Sequence, residues 1–162
     1  MSLNYISSKD GGRVFFYDLR KMCKGIKMKY INELIAAIST EDFYKTEDIL
    51  DKVIQEDDSI EYVDALLKYM EENPLIEYGM PGPVVHFAER YYQKGYEQLL
   101  FDSLSNKPTQ HTLWMLNRII NSPTLVDKEK YISLLRDIST DATVDENVRQ
   151  DADKYLDYQI CK

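Results

Sequence analysis

The feature that most limits the fold of this chain is an apolar triplet that recurs at a nearly constant interval. An apolar residue, two spacers, Leu and then Leu or Ile appear four times, with starts 32, 33 and 35 residues apart. An i, i+3, i+4 spacing places three side chains on one face of a helix. The pattern therefore predicts four helices with equivalent buried faces. The copies begin at Ile31, Val63, Tyr96 and Tyr131.

Further helical patterns fill the intervals between these triplets. Pro83 suits the first turn of one such helix, and Thr109 can cap the start of another. The segment "RVFFYDL" at 13–19 is compatible with a short strand or with the start of a first helix. The four additional helical patterns span residues 41–56, 83–94, 110–121 and 145–158.

The alternation of these helices predicts the fold class. A two-helix unit of about this length cannot bury its apolar face alone, so successive units must stack. We expect an all-α, short HEAT-like helical-repeat solenoid, with residues 1–162 forming one domain. Residues 1–25 are expected to be an N-terminal cap or a mobile segment. The alternative is an irregular helical bundle, since similar helix lengths imitate a repeat.

The charge balance bears on the class of partner. The chain has 20 Lys and Arg against 28 Asp and Glu, a formal net charge of −8. This balance disfavours unspecific nucleic-acid binding, which draws on Lys and Arg at phosphates. It is compatible with a basic protein partner, and equally with solubility alone. No apolar run approaches the roughly 20 residues that span a bilayer, so we expect neither a nucleic-acid nor a membrane partner.

The cysteines and the N-terminal residues indicate a compartment. Cys23 and Cys161 lie near opposite ends of the chain, without the spacing of metal ligands. A reduced intracellular environment is the simpler interpretation. The first 12 residues lack the basic and then apolar pattern of a signal peptide. Together these features predict a cytoplasmic protein, and no pattern indicates its oligomeric state.

Two helical wheels supply the candidate binding residues. On 111–121, Trp114, Asn117 and Arg118 share one arc opposite the apolar face. Trp and Arg, with polar neighbours, supply contact area and directional hydrogen bonds at interfaces. In the structural alternative, Trp114 packs between helices and Arg118 pairs with Glu89. The candidate partner-binding residues are His86, Glu89, Arg90, His111, Trp114, Asn117, Arg118 and Asn121.

The same residues give little indication of chemistry. His86, Glu89 and His111 contain the elements of a two-His, one-carboxylate metal set, but the second ligand block of an HExxH site is missing. The sequence contains no G-x-S-x-G nucleophile elbow, no G-x-x-x-x-G-K phosphate loop and no G-x-G-x-x-G dinucleotide loop. We therefore predict a protein that is not an enzyme, with no catalytic residue, metal or cofactor.

The stretches "PGPVVHFAERYY" and "PTQHTLWMLNRIIN" resemble a group of small helical immunity proteins of bacteria. These proteins are cytoplasmic antidotes encoded beside polymorphic or contact-dependent toxins. The resemblance covers roughly residues 78–139, and "HTLWMLNRIIN" carries most of it.

The resemblance implies a protein that binds a cognate toxin domain and holds it inactive, with no catalytic residues to carry over. The matching positions mark either the toxin interface or the scaffold of the fold. A helical-repeat adaptor without a toxin partner is the alternative function, because the fold argument is identical. The positions of the motif in this chain are Pro83, His86, Glu89, His111, Trp114, Asn117 and Arg118.

Overall fold

A computed structural model of the chain describes residues 28–161. Within that range the chain forms eight α-helices and no β-strand, which confirms the all-α prediction for these residues. The ambiguous segment at 13–19 and the expected cap or mobile segment at 1–25 lie outside the described residues. The helices are α1 (Ile31–Ile38), α2 (Phe43–Glu56), α3 (Glu61–Glu72), α4 (Pro83–Glu89), α5 (Tyr96–Asn106), α6 (Gln110–Ile120), α7 (Lys128–Thr140) and α8 (Glu146–Ile160).

The recurring triplets form the core, as their spacing predicts. They lie at or near the starts of α1, α3, α5 and α7, and eleven of their twelve side chains are buried. The exception is Leu99, which is only half-buried. The intervening patterns become the even-numbered helices, so the predicted alternation holds through the described part of the chain.

The predicted helix at 83–94 is too long, because α4 ends at Glu89. Beyond that point the backbone N–H groups of Tyr91 and Tyr92 bond to carbonyls three residues earlier, which tightens the chain into turns. Gln93 and Gly95 then adopt positive φ angles of 60° and 114°. A left-handed residue cannot continue a right-handed helix, so Gly95 instead precedes the first turn of α5.

The chain divides into two compact units after Phe87. In the first unit, whose described part is residues 28–87, α1 packs on α2 around Leu34 and Val53. Tyr62 of α3 makes an edge-on ring contact with Phe87 at 6.3 Å between centroids. These contacts give the first unit an apolar centre of its own.

The second unit, described for residues 88–161, contains α5 to α8. Here α5 packs on α6 and α7 on α8, while α5 also contacts α7 and α6 also contacts α8. Leu100, Leu116, Leu135 and Ala152 are fully buried, one from each of these helices. The single domain, and the stacking of units as a solenoid, remain predictions.

Charge is divided unevenly along the chain. The first unit as a whole, residues 1–87, has 16 acidic against 10 basic side chains, because residues 1–27 add two acidic and six basic ones. Residues 28–87 contain 14 Asp and Glu against four Lys, a difference of −10. Residues 88–161 contain 12 acidic against nine basic side chains, a difference of −3. Within residues 28–161, no helix combines the length and the apolar content needed to cross a bilayer.

Candidate functional site

The start of α6 is fixed by a reciprocal pair of threonines. The Thr109 hydroxyl accepts from the backbone N–H of Thr112 at 3.2 Å, and the Thr112 hydroxyl accepts from the Thr109 N–H at 3.1 Å. This is a capping box in which Thr takes the place of the usual Glu or Gln. Both side chains are buried, so the predicted cap at Thr109 is confirmed and the register of α6 is set.

The register places one apolar face of α6 in the core and one polar face toward the surface. Leu113, Leu116 and Ile120 are fully buried. Arg118 is exposed and Trp114 is half-buried on the other side. The wheel therefore separates the two faces correctly at these positions.

Arg118 and Glu89 form a bidentate ion pair. Arg118 Nε donates to Glu89 Oε1 at 2.6 Å, and Arg118 Nη2 donates to Glu89 Oε2 at 3.0 Å. These hydrogen bonds raise the pKa of Arg118 above its ordinary value. Glu89 is the last residue of α4, where a negative charge opposes the helix dipole unless a cation neutralises it. The structural alternative for this pair is therefore confirmed.

Trp114 lies between two side chains of its own helix. The Arg118 Cζ atom is 5.2 Å from the centre of the Trp114 ring, within cation–π range. The His111 ring lies 5.8 Å away on the preceding turn, tilted by 50°. His111 itself is only 5% exposed, unlike the other members of the predicted arc. The indole is thus held in one orientation with part of its surface free.

The far end of the arc is tied to α8 through an amide that the sequence reading missed. Gln159 Nε2 donates to Asn117 Oδ1 at 3.3 Å and to Asn121 Oδ1 at 3.0 Å. Gln159 is buried and continues the face of α8 that contains Val148 and Leu156. A polar residue on an otherwise apolar stripe was the available signal, because a buried amide needs partners.

A pocket of about 270 Å³ opens beside the ion pair. The Tyr96 hydroxyl is fully buried and has no hydrogen-bond partner among residues 28–161. Burial raises the pKa of Tyr96, with the Glu89 carboxylate adding to the effect, so the hydroxyl stays protonated. The pocket offers aromatic side chains beside a fixed ion pair, while the Tyr96 hydroxyl itself is closed to solvent. Its walls are Glu89, Tyr92, Tyr96, Arg118, Ile119 and Ser122.

The remaining candidates do not join this cluster. His86 is exposed on α4, and Arg90 is exposed just beyond its end. His86 belongs to the first unit and His111 to the second. In the part of the chain that the structure describes, no three His, Cys, Asp or Glu side chains are grouped so as to hold a metal ion.

No family model, curated protein or solved structure matches the chain. The resemblance to immunity proteins therefore stays a prediction.

Proposed function

We propose that this protein binds a basic protein partner, a bacterial toxin domain, and neutralises it by covering its active surface. The observation that carries the proposal is the concentration of negative charge in residues 28–87, 14 acidic side chains against four basic ones. A field of one sign steers an oppositely charged protein and raises its association rate. Fast capture is what an antidote requires, because a free toxin acts until it is bound.

The helix α2 contributes much of this field. Glu47, Asp48 and Asp51 are exposed on it, and only Lys45 and Lys52 oppose them. Because these carboxylates are exposed, they keep their hydration shells in the free protein. They influence encounter more than final affinity, which needs desolvated contacts as well.

A HEAT-like stacking of helix pairs would hold the acidic surface of α2 on a rigid scaffold. The packing of α5 with α7 and of α6 with α8, besides the α5–α6 and α7–α8 pairs, supports this arrangement for the second unit. Solenoids use their extended faces to grip macromolecules. The cytoplasm is the proposed compartment, because the toxin acts there on the producing cell.

The cluster on α6 has a supporting role in this proposal. Trp114 is immobilised by Arg118 and His111, and Arg118 is itself fixed by Glu89. A large ring that is ordered before binding loses little conformational entropy when a partner covers it. Trp114→Ala is therefore expected to weaken binding more than it lowers the melting temperature, and unchanged affinity would remove Trp114 from the interface.

The proposal predicts that a neighbouring gene encodes a toxin domain, and the decisive experiment is co-expression with that domain. Cells that produce both proteins should grow, while cells that produce the toxin alone should not. The association rate of the purified proteins should fall as salt is added, because salt screens the steering field. Absence of protection would refute the toxin proposal, and a stable complex with a non-toxin protein would favour the adaptor.

A further inference from the structure

Exposed apolar side chains gather in two short segments of the first unit. Tyr44 is 85% exposed and Leu75 is 95% exposed, and Phe43 and Met80 are also exposed. These are four of the seven large hydrophobic residues that are exposed among the described residues. Single exposed hydrophobics are ordinary, but a group rimmed by polar residues marks an interaction surface.

A hydrogen bond brings the two segments side by side. The backbone N–H of Glu77 donates to Glu41 Oε1 at 3.1 Å, so the 73–82 loop lies against the turn between α1 and α2. Glu41 holds a left-handed φ of 56°, which is uncommon for a residue other than glycine or asparagine. The Gly79 N–H donates to Glu77 Oε1 at 2.7 Å and fixes the loop further. The apolar side chains therefore stand on a backbone of defined geometry.

Gly79 is required for this loop. It has a φ of 78°, and a Cβ added there would come within 2.6 Å of the Gly82 backbone. The close approach folds residues 79–82 back on themselves, between Leu75 and the start of α4. The loop thus has a fixed backbone shape although the apolar side chains of Leu75 and Met80 are exposed to solvent.

Carboxylates rim these apolar side chains. Glu41, Asp42 and Glu77 are exposed on the same two segments. We call these three carboxylates, with Phe43, Tyr44, Leu75 and Met80, the Tyr44–Leu75 surface.

We propose that the Tyr44–Leu75 surface is the docking site for a basic, amphipathic segment of a protein partner. Tyr44 and Leu75 bury apolar area against the apolar side of that segment, while the carboxylate rim receives its Lys and Arg side chains. A second copy of this chain is disfavoured, because its own Tyr44–Leu75 surface has the same three exposed carboxylates and would repel this one. An anionic lipid surface is repelled for the same reason. The chemistry of the occupant is independent of the toxin proposal, but its identity as a toxin rests on that proposed function.

The test uses a synthetic amphipathic peptide of Lys and Leu as the probe and the full chain as the receptor. Amide chemical shifts should move first and furthest in residues 41–48 and 73–82. The same peptide with Glu in place of Lys should cause no shifts, because it would meet the carboxylate rim with like charge. Shifts concentrated on α8 or spread evenly over all acidic faces would overturn the proposal.

A pair of matched double variants distinguishes binding at this surface from non-specific binding to exposed apolar side chains. Tyr44→Ala with Leu75→Ser should weaken the peptide at least tenfold, and both residues are exposed enough to leave the fold unchanged. Val126→Ser with Tyr158→Ala removes comparable exposed apolar area from the second unit and should leave binding within twofold. Equal losses in the two variants would overturn the proposal.

Co-expression then separates this inference from the proposed function. If the natural sequence gives no protection but the peptide still maps to the Tyr44–Leu75 surface, docking stands and the toxin proposal fails. If the natural sequence and the Tyr44→Ala, Leu75→Ser variant protect equally well, the toxin proposal stands and this docking site is refuted.

Discussion

Two buried tyrosines show how much depends on the partner of a single hydroxyl. Tyr62 and Tyr96 are both at most 1% exposed. The Tyr62 hydroxyl donates to the Asp57 carboxylate and accepts from the Tyr30 N–H at 3.0 Å. The Tyr96 hydroxyl has no hydrogen-bond partner in the described part of the chain. The same side chain is thus satisfied in one unit and unsatisfied in the other.

Replacing each tyrosine by phenylalanine should therefore change stability in opposite directions. Tyr62→Phe removes one donor from the Asp57 carboxylate and the acceptor of the Tyr30 N–H, and should lower the free energy of unfolding by about 1–3 kcal/mol. Tyr96→Phe removes a buried unpaired group and should raise it by about 1 kcal/mol. Urea unfolding followed by circular dichroism measures both. A loss of stability in Tyr96→Phe would mean that its hydroxyl has a partner, such as a buried water.

The stability of the first unit should depend on pH through Asp57. The hydrogen bond from Tyr62, followed by that from the Lys29 N–H, lowers the pKa of Asp57 below its ordinary value of 3.8. A pKa lowered by folding contributes stability that is present above the unfolded value and is lost as pH falls through the folded value. Asp57→Asn should therefore be less stable at neutral pH and should lose less stability on acidification. Urea midpoints measured from pH 7 down to about pH 2 test this, and parallel curves for the two proteins would contradict it.

The sequence predicts some of these residue contacts and not others. The wheel placed Arg118 on the outer arc, and the need of such an Arg for a carboxylate pointed to Glu89, which the structure confirms. The unpaired Tyr96 hydroxyl and the Gln159 bridge could not be derived in the same way. Each depends on which atoms face one another after packing, and periodicity does not determine that.

At the scale of elements, α4 is the helix least able to form alone. It has seven residues, well below the length at which isolated helices are stable in water. Its last residue, Glu89, has a charge of the wrong sign for a helix C-terminus. Arg118 compensates that charge through two hydrogen bonds. The end of α4 is thus stabilised by α6 more than by its own propensity.

A double-mutant cycle over Glu89→Gln and Arg118→Met should measure this coupling. We expect a coupling energy of about 1 kcal/mol, at the upper end for partly exposed pairs because the geometry is bidentate. Amide exchange at Ala88 and Glu89 should accelerate in both single variants. Lys154→Met, which removes the exposed pair with Asp151, is the control and should have little effect. Additive effects of the two α4–α6 substitutions would show that the pair does not hold α4.

Side-chain caps begin three of the described helices, of which only the cap at Thr109 was predicted. Asp42, Thr109 and Asp145 each accept a backbone N–H at the starts of α2, α6 and α8. The end of α4 was missed because Tyr91 and Tyr92 continue the apolar arc beyond the helix. The helix has already tightened into turns at Tyr91 and Tyr92, and Gln93 then adopts a positive φ that is uncommon for Gln, so the apolar pattern did not predict this ending.

For the whole molecule, the interval between the triplets predicted the alternation of helices in the described residues and one set of core positions, with 11 of the 12 triplet side chains buried. It did so because burial of a helical face is a local, periodic requirement. The division after Phe87 was not predicted, since it depends on which helices contact one another across the chain. The same division reveals the charge asymmetry, which the total of −8 concealed.

This asymmetry predicts that salt stabilises the two units to different extents. A net charge of −6 over residues 1–87 destabilises the folded first unit through self-repulsion, whereas −2 over residues 88–162 has a smaller effect. Raising the ionic strength from about 0.01 M to about 1 M shortens the screening length from roughly 30 Å to roughly 3 Å. Amides of α2 and α3 should therefore become better protected from exchange, while those of α6 and α7 change little.

Hydrogen exchange read by mass spectrometry resolves the two groups of helices, because local and sub-global openings report on each separately. The Glu47→Gln, Asp51→Gln double variant should increase the protection of the α2 and α3 amides from exchange already at low salt. Both residues are exposed on α2, and removing their charges relieves repulsion. A matching double variant on α8, Asp153→Asn with Asp157→Asn, should leave α2 and α3 unaffected. If salt protected the amides of all the described helices equally, general salting-out would explain the increase in protection. Repulsion between the carboxylates would then not lower the stability of the first unit. Steering of a basic partner would still depend on their negative field.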